Sequence, residues 1–322
     1  MPTLDEKTVT SLVADATAAP SMHNAQPWRF RYDADSRTLE LRADPERSLV
    51  KEDPDDRALH LGCGAALLNL RVSAAHSGFE PRVELLPDPR DPLLLARVTL
   101  GTAVAGTPDA IGLPPLYLEI ARRHTSRQPF SDREVPAPVR TGLSEAAALE
   151  GARLAFPPPW HTDALLSVID DAEHRHEDDA ERRAEQLGWT RTGEGGTEGI
   201  PDSALGPSRR GGRAPVRGFA GERLGSADYE SEPQLALLGT AHDTPADWLR
   251  AGQALERVLL LATRHGLATA LTSVALEWED LRWLATDPVR PMGHVQMVLR
   301  LGYGPAGAGT PRRPVDEVLE GL

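Results

Sequence analysis

The spacing of hydrophobic residues predicts two long helices around which the rest of the chain is arranged. In the first, from about Asp56 to His76, apolar residues recur at intervals of three and four, and further leucines widen the stripe. The second is predicted from about Pro245 to His265. Because a helix that is apolar over a broad face must bury that face, we expect the first helix to be largely buried.

Shorter periodic segments predict the remaining elements. Further helices are expected at about 4–18, where Thr3 and Glu6 form a capping box, near 114, and at about 138–149, 160–187 and 277–285. Alternating or continuous apolar runs predict strands at about 28–32, 38–42, 82–86, 93–100, 234–238 and 294–301. The stretch from Gly188 to Glu232 is rich in Gly, Pro, Ser and Arg, and its length predicts a mobile excursion that is either a functional lid or disordered.

Two parts of the chain repeat one pattern. A shift of 188 residues (252 minus 64) carries Gly64 onto Gly252, and the glycine that ends the first long helix then falls on the glycine that ends the second. In both parts an Asp-Pro pair precedes a strand that ends in glycine. This shared order indicates a duplication, so we predict an α+β fold of two tandem half-domains, residues 1–112 and 113–322.

Composition narrows the classes of function. The 322 residues are 40% hydrophobic and 26% charged, which is ordinary for a globular protein of one or two domains. A net charge of −13 argues against binding nucleic acid or an anionic membrane through the overall field. The single cysteine, Cys63, permits no internal disulfide and no cysteine zinc cage. Because the chain has no apolar run of about 18 residues and does not start like a signal peptide, we expect a cytoplasmic protein.

Candidate chemistry is concentrated in the stretch 19–30, APSMHNAQPWRF. Pro20 disfavours helical geometry at the residue before it, so the first helix should end there. The short polar side chains of Ser21, His23 and Asn24 follow, and each can hydrogen-bond a ligand or its own backbone. On position alone the stretch is a helix cap and turn, with Trp28 as a core residue at the start of a strand.

The pattern P-S-x-x-N-x-Q-P-W in this stretch resembles the flavin-binding loop of the FMN-dependent nitroreductase family. It is formed here by Pro20, Ser21, Asn24, Gln26, Pro27 and Trp28. A second motif, Arg123-x-Thr125-x-Arg127, resembles the Arg-rich helix start of the same family. In the family these parts come from different subunits of a homodimer, whereas each half of this chain carries only one of them. The resemblance therefore implies a nitroreductase-like fold whose two halves form an intramolecular pseudo-dimer with one FMN site.

The branch of the family is indicated by the segment 198–206, Glu-Gly-Ile-Pro-Asp-Ser-Ala-Leu-Gly. It is similar to the middle segment of the fused, Acg-like nitroreductases of actinobacteria. This similarity implies that the excursion at about 188–232 is a lid-like insertion in the second half.

The resemblance also implies roles for individual residues. The phosphate of FMN would be clamped by Arg123 and by Arg312 and Arg313 in the tail, although solubility also explains an arginine pair in a tail. Arg127 would lie near flavin N1 and O2, where a fixed positive charge stabilises the reduced flavin. Pro20 and Gln26 would belong to the same loop. Hydrogen bonds to the ribityl chain, phosphate or ring edge would come from Ser21, Asn24 and Thr125. Backbone N–H groups facing N5 and O4 would come from Thr272, Ser273, Val274 and Ala275.

The function implied by the resemblance is that of an FMN-binding, NAD(P)H-dependent oxidoreductase of the nitroreductase or quinone reductase type. Hydride would pass through flavin N5 in a ping-pong reaction to an electron-poor small molecule, with no obligatory catalytic residue and no metal. Two alternatives stay open. One is a protein that sequesters FMN beneath a lid with little turnover, and the other is a flavin-dependent dehydrogenase of a biosynthetic intermediate. In each case one chain would complete its own site, whether or not chains associate further.

Three other patterns have simpler explanations. Gly62-x-Gly64 before a helix resembles a dinucleotide fingerprint, but Leu67 stands in place of its third glycine. His174-x-His176 lies among acidic residues on a polar helix, where diverging side chains favour a solvated acidic face over a metal site. The third pattern is a cluster of arginines, namely Arg209, Arg210, Arg213 and Arg217. We interpret this cluster as part of a lid over an anionic cofactor rather than as a nucleic-acid-binding segment.

Overall fold

The computed structural model of the protein describes residues 4–102, 112–191, 196–219, 223, 225–289 and 292–322. Its helices are α1 (Glu6–Thr17), α2 (Arg57–His76), α3 (Tyr117–Ile120), α4 (Ala137–Leu149), α5 (Pro159–Asp178), α6 (Ala180–Gly188), α7 (Pro245–Arg264), α8 (Glu279–Leu284) and α9 (Val315–Val318). Its strands are β1 (Trp28–Asp33), β2 (Thr38–Ala43), β3 (Phe79–Leu85), β4 (Leu94–Thr102), β5 (Arg153–Ala155), β6 (Thr190–Arg191), β7 (Ile200–Pro201), β8 (Ser208–Gly211), β9 (Ser226–Asp228), β10 (Leu235–Thr240), β11 (Ala268–Thr272), β12 (His294–Gly302) and β13 (Leu319–Glu320).

The N-terminal helix begins later than predicted. Asp5 is its N-cap, and the Asp5 carboxylate accepts a hydrogen bond from the backbone N–H of Thr8 at 2.9 Å. The helix therefore starts at Glu6 rather than at about Leu4, because the aspartate satisfies a backbone donor of the first turn. The predicted capping residue Thr3 lies outside the described residues.

The prediction of a single polar helix at 160–187 is wrong, because two helices occupy this stretch. Asp179 separates them, and its carboxylate accepts hydrogen bonds from the backbone N–H groups of Glu181 at 3.0 Å and Arg182 at 3.1 Å. An aspartate is more stabilising as such an N-cap than inside a helix. Strands β5, β11 and the short strands β6 to β9 also lie where the sequence predicts loops.

Two sheets organise the fold. The first has the strand order β13-β1-β2-β4-β3, and the second has the order β11-β12-β10-β5. Within them the neighbouring strands are antiparallel, except that β13 pairs in parallel with β1, with Phe30 opposite Leu319. The predicted α+β class is confirmed. The C-terminal strand belongs to the sheet of the first predicted half, while the division of the chain at residue 112 stays a prediction.

Each sheet has its own apolar core. Helices α1 and α2 bury side chains such as Leu12 and Leu67 against the first sheet, where Trp28 is fully buried as expected of a core residue. Helices α4 and α7 bury Leu143 and Leu255 against the second sheet. In the described part of the chain α2 is the one helix long and apolar enough to cross a membrane, but 89% of that stretch is buried within the protein.

The two long helices touch at a pair of glycines. A Cβ atom added at Gly64 would lie 2.3 Å from the backbone oxygen of Leu249, and one added at Gly252 would lie 2.2 Å from that of Leu61. Such separations are far below van der Waals contact, and backbone atoms have little room to move. The glycines repeated in the sequence are therefore the places where α2 and α7 cross in direct contact.

This crossing predicts that Gly64→Ala is destabilising although alanine favours helices. We expect the free energy of unfolding to fall by about 2 kcal/mol or more, because the added methyl forces the two backbones apart. The control is Gly142→Ala in α4, where an added Cβ meets nothing within 4 Å. It should stabilise the protein by about 0.5–1 kcal/mol. Urea unfolding of both variants measures the difference, and equal stability of the two would contradict a tight crossing.

Candidate active site

One cavity is lined by residues from both predicted halves of the chain. Its walls come from the turn after α1, the first turns of α2, the end of β11 and the loop stretches 125–127 and 215–219. Its empty space, counted with the open mouth, is about 1010 Å³.

The cavity combines an apolar surface with arginines. Apolar side chains that line it include Leu61, Leu255, Leu271 and Met297. Its lining also contains Arg57, Arg127, Arg217 and Arg300. A cavity that combines apolar side chains with a few polar and cationic groups is typical of a small-molecule site, and the arginines favour a ligand that carries negative charge.

The turn after α1 has a strained backbone. His23, Asn24 and Gln26 have φ angles of 49°, 56° and 54°, in the left-handed region that non-glycine residues rarely adopt. The backbone N–H of Gln26 donates to the Ser21 hydroxyl at 2.9 Å and helps to hold the turn. A Cβ added at Gly62 would come within 3.2 Å of the Ser21 Cβ, so this glycine lets α2 approach the turn. Strain of this kind persists where surrounding contacts enforce it, commonly at functional sites.

The side chains of two predicted loop residues, Asn24 and Gln26, form hydrogen bonds with other parts of the protein and do not line the cavity. The Asn24 amide donates to the Gly199 carbonyl at 3.1 Å and accepts from Arg312 at 3.0 Å. The Gln26 amide donates to the Thr197 carbonyl at 2.5 Å and accepts from the backbone N–H of Arg313 at 2.9 Å. Pro20 and Ser21 do line the cavity, as predicted residues of the same loop.

Arg127 brings an uncompensated positive charge to the cavity. Its guanidinium donates to the Ala204 carbonyl at 3.0 Å and lies 5.3 Å from the centre of the Phe219 ring. In the part of the chain that the structure describes, no carboxylate lies within ion-pair distance of it. Burial, together with the nearby charges of Arg223 and Arg217, lowers the pKa of Arg127 to about 10. A partly buried cation without a carboxylate partner favours an anionic ligand.

The other predicted arginines lie behind the turn. Arg123 forms a buried ion pair with Glu256 at 3.2 Å, and both Arg123 and Arg312 donate to the Ala18 carbonyl. Arg313 is paired with Asp44 at 3.3 Å. Arg123 and Arg312 are therefore brought together, whereas Arg313 is engaged elsewhere, and none of the three is among the cavity-lining residues.

The remaining five predicted residues divide into two groups. Thr125 lies in a short bridge with Thr269 and lines the cavity, as do Thr272 and Ser273 at the end of β11. Val274 and Ala275 begin a 3-10 turn, Val274–Glu277, and pack into an apolar cluster behind it.

Sequence reasoning missed the cluster that fastens the 215–219 stretch over the cavity. Arg217 contacts Glu277 at 2.5 Å and Glu52 at 2.6 Å, and it donates to the Ser273 hydroxyl at 3.4 Å. These carboxylates hold the pKa of Arg217 above its usual range despite burial. The other arginines of the predicted lid cluster pair elsewhere at the surface, namely Arg209 with Asp170, Arg210 with Asp228 and Arg213 with Asp163.

Glu52 also contacts two histidines. The Nε2 atom of His23 hydrogen-bonds one Glu52 oxygen, and the Nδ1 atom of His176 lies 3.5 Å from the other. Burial alone would raise the pKa of Glu52, but the charges of His23 and Arg217 lower it to about 2. The predicted solvated face is wrong for His176, which is 2% exposed because α5 packs this residue towards Glu52. Glu52, His176 and Glu277 have metal-ligand atoms within 4.8 Å of one another, but Arg217 already bridges the two carboxylates.

The sequence was compared with those of known proteins to identify the family of this chain. No family model matches the chain. The chain is 33% identical to "Putative NAD(P)H nitroreductase Rv3131" of Mycobacterium tuberculosis, over 98% of this chain and 92% of that protein. It is 31% identical to "Putative NAD(P)H nitroreductase acg" of the same species, over 97% of this chain and 95% of that protein.

Solved structures of similar proteins are more distant. The FMN- and NADPH-dependent nitroreductase NfnB of Sphigopyxis shares 16% identity, covers 64% of this chain and 98% of its own, and gives a TM-score of 0.41. A nitroreductase structure from Anabaena variabilis shares 13% identity over 92% of this chain and 73% of its own, with a TM-score of 0.42. These TM-scores are too low to support a conclusion about this chain. The identity of over 30% along nearly the whole chain confirms the resemblance seen in the sequence, and the protein belongs to the NAD(P)H nitroreductase family, in its Acg-like branch.

Proposed function

We propose that the protein is an FMN-dependent NAD(P)H oxidoreductase of the nitroreductase or quinone reductase type. The observation that carries the proposal is Arg127, a partly buried guanidinium at the cavity with no carboxylate within ion-pair distance among the described residues. The flavin ring is flat and largely apolar, and its N1–O2 edge gains negative charge on reduction, so it fits this set of groups. FMN accepts hydride from a nicotinamide and passes it to an acceptor, which is chemistry that the side chains of the cavity do not supply.

The described residues suggest how the cofactor is held. Arg127 would bind the N1–O2 edge, while Ser21, Thr125 and Ser273 offer hydroxyl groups to the same cavity. Arg123 and Arg312 converge on one carbonyl behind the turn and would bind the phosphate through their N–H groups. Because Glu256 already compensates the charge of Arg123, Arg312 would supply most of the free positive charge there. Pro20, Asn24 and Gln26 would shape the loop, with Thr272, Val274, Ala275 and Arg313 as more remote members of the predicted set.

The same arrangement supports one cofactor site per chain. Both predicted halves furnish lining residues, including Ser21 from the first and Arg127 from the second, so one chain would complete the site as an intramolecular pseudo-dimer. The donor would be NADH or NADPH and the acceptor an electron-poor small molecule, in the cytoplasm. The names of the relatives give no support to the sequestration and biosynthetic dehydrogenase alternatives.

Cofactor titration with a turnover assay tests this function. Purified protein should bind one FMN per chain, and the loaded protein should oxidise NADPH rapidly only when menadione is present. Two flavins per chain would refute the single shared site. Flavin binding without acceptor-dependent oxidation of NADH or NADPH would favour sequestration, and absence of flavin binding would refute the proposal.

A variant of Arg127 tests the flavin contact. Arg127→Met keeps an unbranched, flexible side chain but removes the charge and its N–H donors, so it should weaken FMN binding and weaken binding of the reduced cofactor more. Loss of one charge-assisted hydrogen bond costs about 1.5–3 kcal/mol, which is roughly ten- to hundredfold in Kd. Arg210→Met, at an exposed pair with Asp228, is the matched control and should bind like the unmodified protein. The midpoint potential of the bound flavin should fall in Arg127→Met, and an unchanged potential would place the arginine away from the ring.

The phosphate clamp can be tested without leaving a buried charge unpaired. The double variant Arg123→Gln with Glu256→Gln removes both members of the ion pair, and riboflavin serves as the control ligand. The double variant should lose FMN affinity by roughly tenfold or more while riboflavin affinity changes little, since only FMN carries the phosphate. Isothermal titration with both flavins measures this difference. Equal losses for the two would place the phosphate elsewhere.

A further inference from the structure

The reaction proposed above needs a proton as well as a hydride. A quinone that gains a hydride carries a negative charge on oxygen until a proton arrives, and a nitro group is reduced with the same need. A side chain that delivers this proton must be titratable, must reach the cavity and must be held in a fixed orientation. Among the described lining residues, His23 is the one histidine.

The position of His23 is unusually well defined. The residue is 5% exposed and lies on the strained turn with φ of 49°. Its Nε2 atom forms a hydrogen bond with the Glu52 carboxylate, and its Nδ1 atom has no hydrogen-bond partner in the described part of the chain. The ring meets Phe219 edge-on at 5.9 Å, and Phe219 also lines the cavity. Thus one ring nitrogen is anchored and the other is available.

Glu52 is held as an anion by groups on its other sides. Arg217 contacts it at 2.6 Å from the 215–219 stretch, and His176 lies 3.5 Å away on α5. Arg217 is shared with Glu277, so the cluster combines two carboxylates with one guanidinium and two imidazoles. An ionised carboxylate bonded to one imidazole nitrogen fixes the orientation of the ring and stabilises its protonated form.

We propose that His23 is the general acid that protonates the acceptor, with Glu52 and Arg217 as positioning residues. This inference rests on the proposed oxidoreductase function. The acceptor gains a hydride from the cofactor and a proton from Nδ1 of His23. The N–H bond breaks, its electron pair stays on nitrogen, and an O–H bond forms, so that a quinone becomes a hydroquinone. Neutral His23 then regains a proton from solvent before the next turnover.

Quinone reduction and ferricyanide reduction differ in their need for a proton. A reaction that depends on a general acid slows as pH rises, so the rate of quinone reduction should fall. The rate of electron transfer to ferricyanide should not follow this profile, because ferricyanide accepts electrons without a proton.

Stopped-flow kinetics of the two half-reactions tests the role of His23. The variants are His23→Gln and His23→Asn, of which asparagine tolerates the left-handed backbone best. After reduction by NADPH, each variant should transfer hydride to menadione about 10²–10⁴-fold more slowly, with a much smaller change in the ferricyanide rate. His174→Gln, at an exposed histidine of α5, is the control and should leave both rates unchanged. A merely structural His23 would slow both acceptors equally or leave both unchanged, and either result would overturn the proposal.

Imidazole NMR of the protein without cofactor gives a readout that does not depend on turnover. The proton shared by His23 Nε2 and Glu52 should resonate far downfield, and this signal should be lost when Glu52 is replaced by Gln. If Glu52→Gln leaves the His23 imidazole signals unchanged, the positioning role of Glu52 is refuted. If the protein is not reduced by NADPH, the proposed function fails, whereas reduction by NADPH with equal slowing of menadione and ferricyanide rejects His23 alone.

Discussion

The contact between α2 and α7 is the constraint on which the rest of the structure depends. Gly64 and Gly252 let the two backbones meet without side chains between them. The cavity lies beside this crossing, since Leu61 of α2 and Leu255 of α7 both line it. Because each helix also carries the core of its own sheet, the crossing fixes the turn after α1 and the start of α2 relative to strands β11 and β12 of the second sheet, which line the other side of the cavity.

The charges around the cavity are divided between structural and available groups. Arg217 and Arg300 are neutralised by carboxylates, and Arg57 donates to the backbone carbonyls of Gln296 and Leu276. Arg127 has only a carbonyl and an aromatic ring as described partners. An acidic protein that places such a cation at a cavity obtains a local anion site against its overall charge of −13. The positive charge that the cavity offers to a ligand therefore comes mainly from Arg127, although other arginines also line the cavity.

Much of the fold could be predicted because periodicity is a local property of the sequence. The apolar spacing placed α2 and α7 within a residue at each end, and the repeated glycines marked their crossing without revealing its cause. Strand β11 could not be predicted locally, since its five residues are fixed by pairing with β12 far along the chain. The break at Asp179 was hidden because a capping aspartate and a surface aspartate look alike in an acidic helix.

The candidate site was predictable only where a family motif existed. The motifs led to Ser21, Thr125 and Arg127, which the fold brings to one cavity. The cluster of His23, Glu52, His176 and Arg217 comes from separate stretches with no characteristic spacing, so no sequence pattern joins its members. Such long-range ionic clusters become visible only when burial and distance are known.

A crystal structure of the protein with FMN tests the central claim most directly. The account predicts one flavin per chain, with its ring in the cavity and the Arg127 guanidinium within hydrogen-bond distance of N1 or O2. The phosphate should then contact Arg123 and Arg312. A flavin bound between two chains, or a ring placed away from Arg127, would contradict the account.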